Sequence, residues 1–292
     1  MTCVPRATGW WRKRCAAFAL LVLAGCSATQ MVYDNGAMLL RWRATSYLDV
    51  HGQQAKDLDR RIENFLAWHR ATALPQYAEL AESCARRVER GLTRTDLEWG
   101  YDAFRAQLDE GLRAAAREIA PMMDRLTPEQ IAHLEQRIKE DNEKFAEEQL
   151  DGDEAARRAR RMERNVKRLE EWFGTLSAAQ RAAVRRYSES APLTGALRAE
   201  DRRRRQAELL TILRTRTAER ELADWAAGWD QGRAPAYEQA SRAHRAAYYD
   251  LLIAIDRTLS AEQRAAAATR FRGFARDFQQ LARAEGSEAS WR

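Results

Sequence analysis

From about residue 54 onward, apolar side chains recur every three or four positions, the spacing that puts them on one face of an α-helix. Leu58, Ile62, Phe65, Leu66 and His69 make one stripe, and Leu97, Tyr101, Phe104, Leu108, Leu112, Ala115 and Ile119 a longer one. Val166, Leu169 and Phe173 follow, then Leu222, Trp225 and Trp229, then Tyr237, His244, Tyr248, Leu251 and Ile255, and last Phe271, Phe274, Phe278 and Leu281. No alternating β-branched run flanked by turn residues supports a strand. Pro75, Pro121, Pro128, Pro192 and Pro235 fall near expected helix ends, where a missing N–H costs little. Asp151-Gly152-Asp153 breaks a charged helical stretch from 127 to 173. No segment is rich enough in Pro, Ser or Gly to separate two domains. The pattern predicts an all-α single domain of about eight to ten helices over residues 50–292.

A recurring phrase marks where helices start. Leu126-Thr-Pro-Glu-Gln130, Leu176-Ser-Ala-Ala-Gln180 and Leu259-Ser-Ala-Glu-Gln263 share it, and Val50-His-Gly-Gln-Gln54 and Leu92-Thr-Arg-Thr-Asp96 are degraded forms. Its physics is a capping box: the hydroxyl accepts from an N–H of the first turn, and the Gln reaches back to the cap's own N–H. His51 has no hydroxyl to offer. The intervals between the three full copies, 50 and then 83 residues, are unequal, so they do not form a regular repeat array.

The other end of the chain has a different grammar. Arg12-Lys13-Arg14 leads into an apolar run, Ala16 to Leu23, that closes on Leu23-Ala24-Gly25-Cys26. Cations, a short apolar segment and a small-residue exit are the parts of a secretory signal, and the apolar part is too short for a permanent span. The closing tetrapeptide resembles the lipobox of bacterial lipoproteins. That resemblance implies cleavage between Gly25 and Cys26, diacylglycerol on the Cys26 thiol and often acylation of its amine. Two or three chains give stable attachment where one holds marginally. Ser27 stands where an Asp would resemble an inner-membrane retention signal. The expectation is therefore a lipoprotein signal peptide over 1–25 and an outer-membrane anchor facing the periplasm of a Gram-negative cell. Residues 26–49 are expected to act as tether and docking segment, because Tyr33, Leu39, Leu40, Trp42 and Tyr47 are too apolar for a free linker.

Removing the leader changes what composition implies. Its four cations, Arg6, Arg12, Lys13 and Arg14, account for the fall from a formal charge of +6 to +2. The high pI is thus weak evidence for nucleic acid, and no nucleic-acid partner is expected. Cys3 and Cys15 leave with the leader and Cys26 carries lipid, so Cys84 is the one remaining thiol and no internal disulfide can form. Cys84 falls in the helical series Tyr77, Leu80, Ala81, Cys84, Val88, where a buried inert cysteine is the ordinary reading.

Catalytic motifs are missing. His51, His69, His133 and His244 stand on different predicted helices with no metal-binding spacing, and no nucleophile elbow or phosphate-binding glycine loop occurs. No cofactor or metal is expected. The acidic segment Glu140 to Glu154 reads as a solvated helix face. Within it, Asn142 falls on the stripe of Ile131, Leu134, Ile138 and Phe145, so its amide points inward as a structural link or a ligand contact. Arg202, Arg203, Arg204 and Arg205 form the densest basic run. Four consecutive residues spread around a helix, so a solvated face is the bland reading and a patch for anionic lipid or lipopolysaccharide, with Arg214, Arg216 and Arg220, the sharper one.

Two resemblances bear on function. The capping phrase is similar to the L-T-x-x-Q motifs of Spy and CpxP-type periplasmic chaperones, helical proteins that shield unfolded clients. A wider set of elements resembles an uncharacterised family of proteobacterial lipoproteins with a domain of unknown function. These are Tyr33-Asp-Asn35, Leu40-Arg-Trp42, Tyr47-Leu-Asp49, Phe65-Leu-Ala-Trp-His69 before Leu74-Pro75, Leu126 to Ile131 with Asp141-Asn-Glu-Lys-Phe145, and Arg168-Leu-Glu-Glu-Trp172 before Leu176-Ser177. That family implies a helical, lipid-anchored envelope protein and supplies no catalytic residues. The expectation is a non-enzymatic lipoprotein that binds another envelope component: a protein, an anionic lipid or lipopolysaccharide. A chaperone or stress adaptor is the alternative, and a cell-wall enzyme a second one.

Overall fold

The computed structural model describes Tyr33 and residues 35–283 of the chain. The expected signal peptide, its expected cleavage position at Gly25 and Cys26, the expected lipid site, lie outside the described residues. Among those described, the regular structure is entirely helical. The helices are α1 (Gly36–Leu48), α2 (Gly52–Trp68), α3 (Leu74–Arg90), α4 (Arg94–Met123), α5 (Pro128–Leu150) and α6 (Glu154–Phe173). After them come α7 (Ala178–Ser190), α8 (Gly195–Thr215), α9 (Ala218–Ala227), α10 (Pro235–Asp256) and α11 (Ala261–Arg283). A π-helical turn, His69–Ala73, joins α2 to α3 without a break, so the eleven helices form ten rods.

That turn explains the one proline that does not end a helix. Pro75 has no N–H, and its ring crowds the carbonyl of the preceding turn; widening the helix to a π register just before it removes the clash while the rod continues. The other prolines behave more simply. Pro128 and Pro235 open α5 and α10, Pro192 lies in the α7–α8 connection, and Pro121 occupies the last turn of α4. The break at Asp151-Gly152-Asp153 is where the pattern puts it. Asp153 accepts from the Ala156 N–H at 2.8 Å, and Gly152 takes φ +74° with Ala156 so close that a Cβ would sit 3.2 Å from its methyl.

The apolar stripes close into two cores. Leu58 and Ile62 of α2, Ala116, Ala120 and Met122 of α4, Leu126, Ile131 and Leu134 at α5, and Leu210, Leu213 and Leu222 of α8–α9 fill the first. Leu169, Leu176, Val184, Tyr187, Leu251 and Ile255, from α6, α7 and α10, fill the second. α3 lies along α11 and α4 along α9.

Two stripes depart from the expectation. Phe104, in the middle of the long α4 stripe, is 58 % exposed, because α4 at thirty residues outruns the partners that cover its two ends. The segment before residue 50 is itself a helix and docks by one side only. Ala37, Ala44, Tyr47 and Leu48 pack on the first core, whereas Leu39, Leu40 and Trp42, expected to dock, are exposed.

Candidate functional site: a groove between α5 and α8

The surface that gathers several sequence-flagged residues is the seam where α5 lies against α8. Asn142 follows Ile138 by one helical turn and therefore faces α8. Its Nδ2 donates to Gln206 Oε1 at 2.8 Å, and its Oδ1 accepts from Gln206 Nε2 at 3.1 Å and from Arg202 at 3.3–3.4 Å. Both ends of the amide thus have partners within the protein, and Asn142 also lines the depression beside it. The Arg202 guanidinium also lies 4.8 Å from the centre of the Phe145 ring, over which Arg198 sits as well.

Beside this amide cluster runs a shallow, open depression of about 480 Å³. Ile138 and Leu210 form its apolar floor, and Lys139, Arg203 and Gln136 its polar rim. A smaller one of about 220 Å³ adjoins it through Ala132 and Glu135 and reaches Leu126, Leu213 and Arg216. The Glu135–Arg214 ion pair, 2.6 Å, crosses between them. The two together make an apolar trough whose rim carries more cations than acids. Such a trough can accept an apolar segment bearing negative charge.

The arginine run does not act as a unit. Arg202 turns to α5 and Arg203 to the groove and solvent. Arg204 pairs with Asp201 at 2.8 Å and Glu208 at 2.5 Å. Burial works against its charge, but these acids outweigh it and raise its pKa. Arg205 donates to the carbonyls of Trp225 at 2.5 Å and Gly228 at 3.0 Å, so it caps the C-terminal end of α9, and desolvation lowers its pKa. Arg220 pairs with Glu221. Of the broad patch, Arg202, Arg204, Arg205, Arg214 and Arg220 are therefore divided among separate partners, while Arg203 and Arg216 line the trough.

The histidines are absorbed by the fold. Nε2 of His133 donates to the Ser46 carbonyl at 3.1 Å and pins α1 to α5, assisted by the Tyr47 hydroxyl on Asp141. His69 contacts the Tyr33 hydroxyl at 3.3 Å, and burial lowers its pKa. His244 donates from Nδ1 to the Pro192 carbonyl at 3.3 Å and accepts from the Tyr187 hydroxyl at 3.2 Å; burial lowers its pKa too. His51 faces solvent beside Asp49. Among the described residues, no three His, Cys, Asp or Glu side chains converge as metal ligands. Cys84 is half-buried, and desolvation raises its pKa away from the reactive thiolate.

The capping phrases do more than cap. Thr93, Thr127 and Ser177 form complete capping boxes, and the Gln130 and Gln180 amides also cross to another helix start. Gln130 meets Gln54 and donates to the Asp49 carbonyl at 3.0 Å, and Gln180 meets Gln263 and donates to the Thr258 carbonyl at 3.1 Å. Each joint closes one of the two cores. The Gln that closes four of the five phrases was visible in the sequence; the pairing was not. Also unforeseen is Arg161, buried without a carboxylate, which donates to the carbonyls of Ser188, Ala191 and Pro192 at the end of α7.

The fold and groove define a helical protein with two apolar cores and a surface trough. The chain belongs to a family of unknown function (DUF6279), whose family profile matches residues 46–232. The matched stretch holds every buried residue of the first core and the α5–α8 groove, and it ends before α10, which supplies Leu251 and Ile255 to the second core. No curated protein and no solved structure matches the chain.

Proposed function

We propose that this protein is a non-enzymatic lipoprotein, anchored by lipid on Cys26 to the periplasmic face of the outer membrane, that binds another envelope component through the α5–α8 groove. The observation that carries the reading is Leu23-Ala24-Gly25-Cys26 behind a basic and apolar leader. The groove supports its second half: an apolar floor gives area, and Lys139 and Arg203 on the rim select acidic character in the partner. An envelope protein with an exposed acidic and apolar segment is the first partner to look for, and anionic lipid or lipopolysaccharide the next. No helix among the described residues is long and apolar enough to cross a membrane.

The test has two parts. Mass analysis of the N-terminal peptide from cells reads the lipid on Cys26; an unmodified Cys26, or membrane attachment unchanged by Cys26→Ser, overturns the anchor. In-cell crosslinking from position 203 or 139 reads the groove. One stoichiometric envelope partner supports it, whereas many unrelated clients point to a chaperone. Turnover of purified cell-wall substrate by the protein overturns its non-enzymatic part.

A further inference from the structure

The outward side of α1 is apolar in a way its surroundings do not explain. A helix with one apolar face docks by that face and shows water a polar one. α1 has two. Ala37, Ala44, Tyr47 and Leu48 face the core, and Met38, Leu39 and Trp42 lie on the opposite side of the helix, with Trp42 64 % exposed. Arg41, half-exposed and paired with Asp59 of α2, and Arg43 flank that outer face, and Gly36–Leu48 itself contains no acidic residue.

We propose that α1 lies on the surface of an anionic phospholipid bilayer, with Met38, Leu39 and Trp42 among the acyl-chain ends and Arg41 and Arg43 at the head groups. A tryptophan and flanking cations beside aliphatic side chains are the chemistry of the membrane interface. Position along the chain points the same way. Gly36 lies ten positions after Cys26, a backbone reach of at most about 35 Å, so among the described helices α1 is the one nearest the anchor along the chain. This step rests on the lipid-anchor reading. A second copy of the chain fits less well. The three side chains expose on the order of 350 Å², counting 150–250 Å² for each when fully exposed, against roughly 800 Å² per partner in a stable dimer. α1 itself cannot swing away freely, because His133 and Tyr47 hold it to α5, so its outer face points wherever the domain points. Membrane contact through α1 therefore fixes the domain's orientation, where a tether alone would leave it free.

The test places a photoreactive benzophenone residue at position 42, at 39, or at the equally exposed control position 104 of the full chain. The protein is made in a Gram-negative host and reconstituted in vesicles of phosphatidylethanolamine and phosphatidylglycerol. Phospholipid adducts at 42 and 39 and their loss at 104 are expected, with loss of the adduct at 42 when Arg41 and Arg43 are both changed to Glu. The mass of the N-terminal peptide is read in the same samples. Lipid on Cys26 without an adduct at 42 overturns the seat of α1 and leaves the anchor standing. An adduct at 42 without lipid on Cys26 overturns the anchor and leaves the seat. Capture of a second copy, of a protein, or of lipid equally at 104 overturns the proposal.

Discussion

Gln180 and Gln263 hold each other across the start of two helices 83 residues apart. Gln180 Nε2 donates to Gln263 Oε1 at 2.9 Å and to the Thr258 carbonyl at 3.1 Å, and Gln263 Nε2 donates to the Thr175 carbonyl at 3.2 Å. Each Oε1 meanwhile accepts from its own cap, the N–H of Ser177 at 2.9 Å and of Ser260 at 3.1 Å. One side chain therefore closes a capping box and a tertiary joint together. The same arrangement recurs at Gln54 and Gln130, although His51 supplies no cap there.

Gln180 has no access to solvent, so its replacement is expected to be costly. Gln180→Ala leaves buried acceptors unpaired and a void, a loss of about 2–4 kcal/mol in urea unfolding. Gln180→Glu is expected to be at least as damaging at neutral pH, because a carboxylate cannot donate to the Thr258 carbonyl. The buried Glu has a pKa raised above its unfolded value. Whatever stability its protonated form contributes is present below the unfolded pKa, near 4.3, and is lost as pH rises through the folded one. The variant should recover toward acid relative to the parent; a flat difference from pH 7 to pH 4.5 would refute the assignment of the amide as donor.

Arg161 is a buried cation whose counter-charge is a helix end. It donates to the carbonyls of Ser188 at 2.5 Å, Ala191 at 2.8 Å and Pro192 at 3.0 Å, which α7 leaves unpaired. Desolvation lowers its pKa, yet an arginine keeps its charge. Arg161→Ala is expected to cost about 1.5–3 kcal/mol, the range for losing hydrogen bonds from a charged donor to buried acceptors. Arg161→Lys should recover only part, because an ammonium cannot span three carbonyls in the plane of one fork. Full stability in Arg161→Lys by thermal unfolding would show that charge alone suffices.

What the sequence made legible follows from what is local. Helix starts at Thr127 and Ser177, the break at Gly152 and the stripes of the two cores depend on residues within one or two turns, so spacing was enough to find them. Exposure depends on what lies opposite, and there spacing misled. Phe104 continues a faultless stripe and still faces water, and α1 is apolar on both sides. The groove was half legible. Asn142 announced itself as an amide on an apolar stripe, while Gln206, its partner on α8, carried no signal of its own. The arginine run illustrates the same limit, since Arg202 and Arg205 find partners on α5 and α9 that only the fold supplies.

His244 should make stability depend on pH. Burial depresses its pKa; the Pro192 hydrogen bond opposes that shift without cancelling it, and the nearby Arg161 charge adds to it. A depressed folded pKa means that the stabilising contribution is complete above the unfolded value, near 6.5, and is lost as pH falls through the folded one. His69 is depressed by burial as well and adds to the slope. The parent protein is expected to unfold at lower urea concentration at pH 5 than at pH 7.5. His244→Gln should flatten part of that change, because glutamine has no proton to take up. An unchanged slope in His244→Gln would show that His244 titrates alike in the folded and unfolded chain.

Neighbouring residues of the groove should separate structure from binding. Asn142 holds Gln206 and Arg202, so Asn142→Ala leaves two polar side chains short of a partner and is expected to cost about 1–3 kcal/mol. Arg203 projects from the rim, so Arg203→Glu should leave the unfolding curve unmoved. If the groove receives an acidic partner, Arg203→Glu with Lys139→Glu must reverse the charge it meets and abolish in-cell crosslinking from position 136. The double variant also controls against a purely mechanical effect, because both changes lie on the rim and neither touches the Ile138 and Leu210 floor. Undiminished crosslinking to the same partner would mean that its contact is apolar alone. A fall in thermal stability equal to that of Asn142→Ala would instead mean that Arg203 belongs to the seam, and the surface available for binding would shrink to the trough beside Arg214 and Arg216.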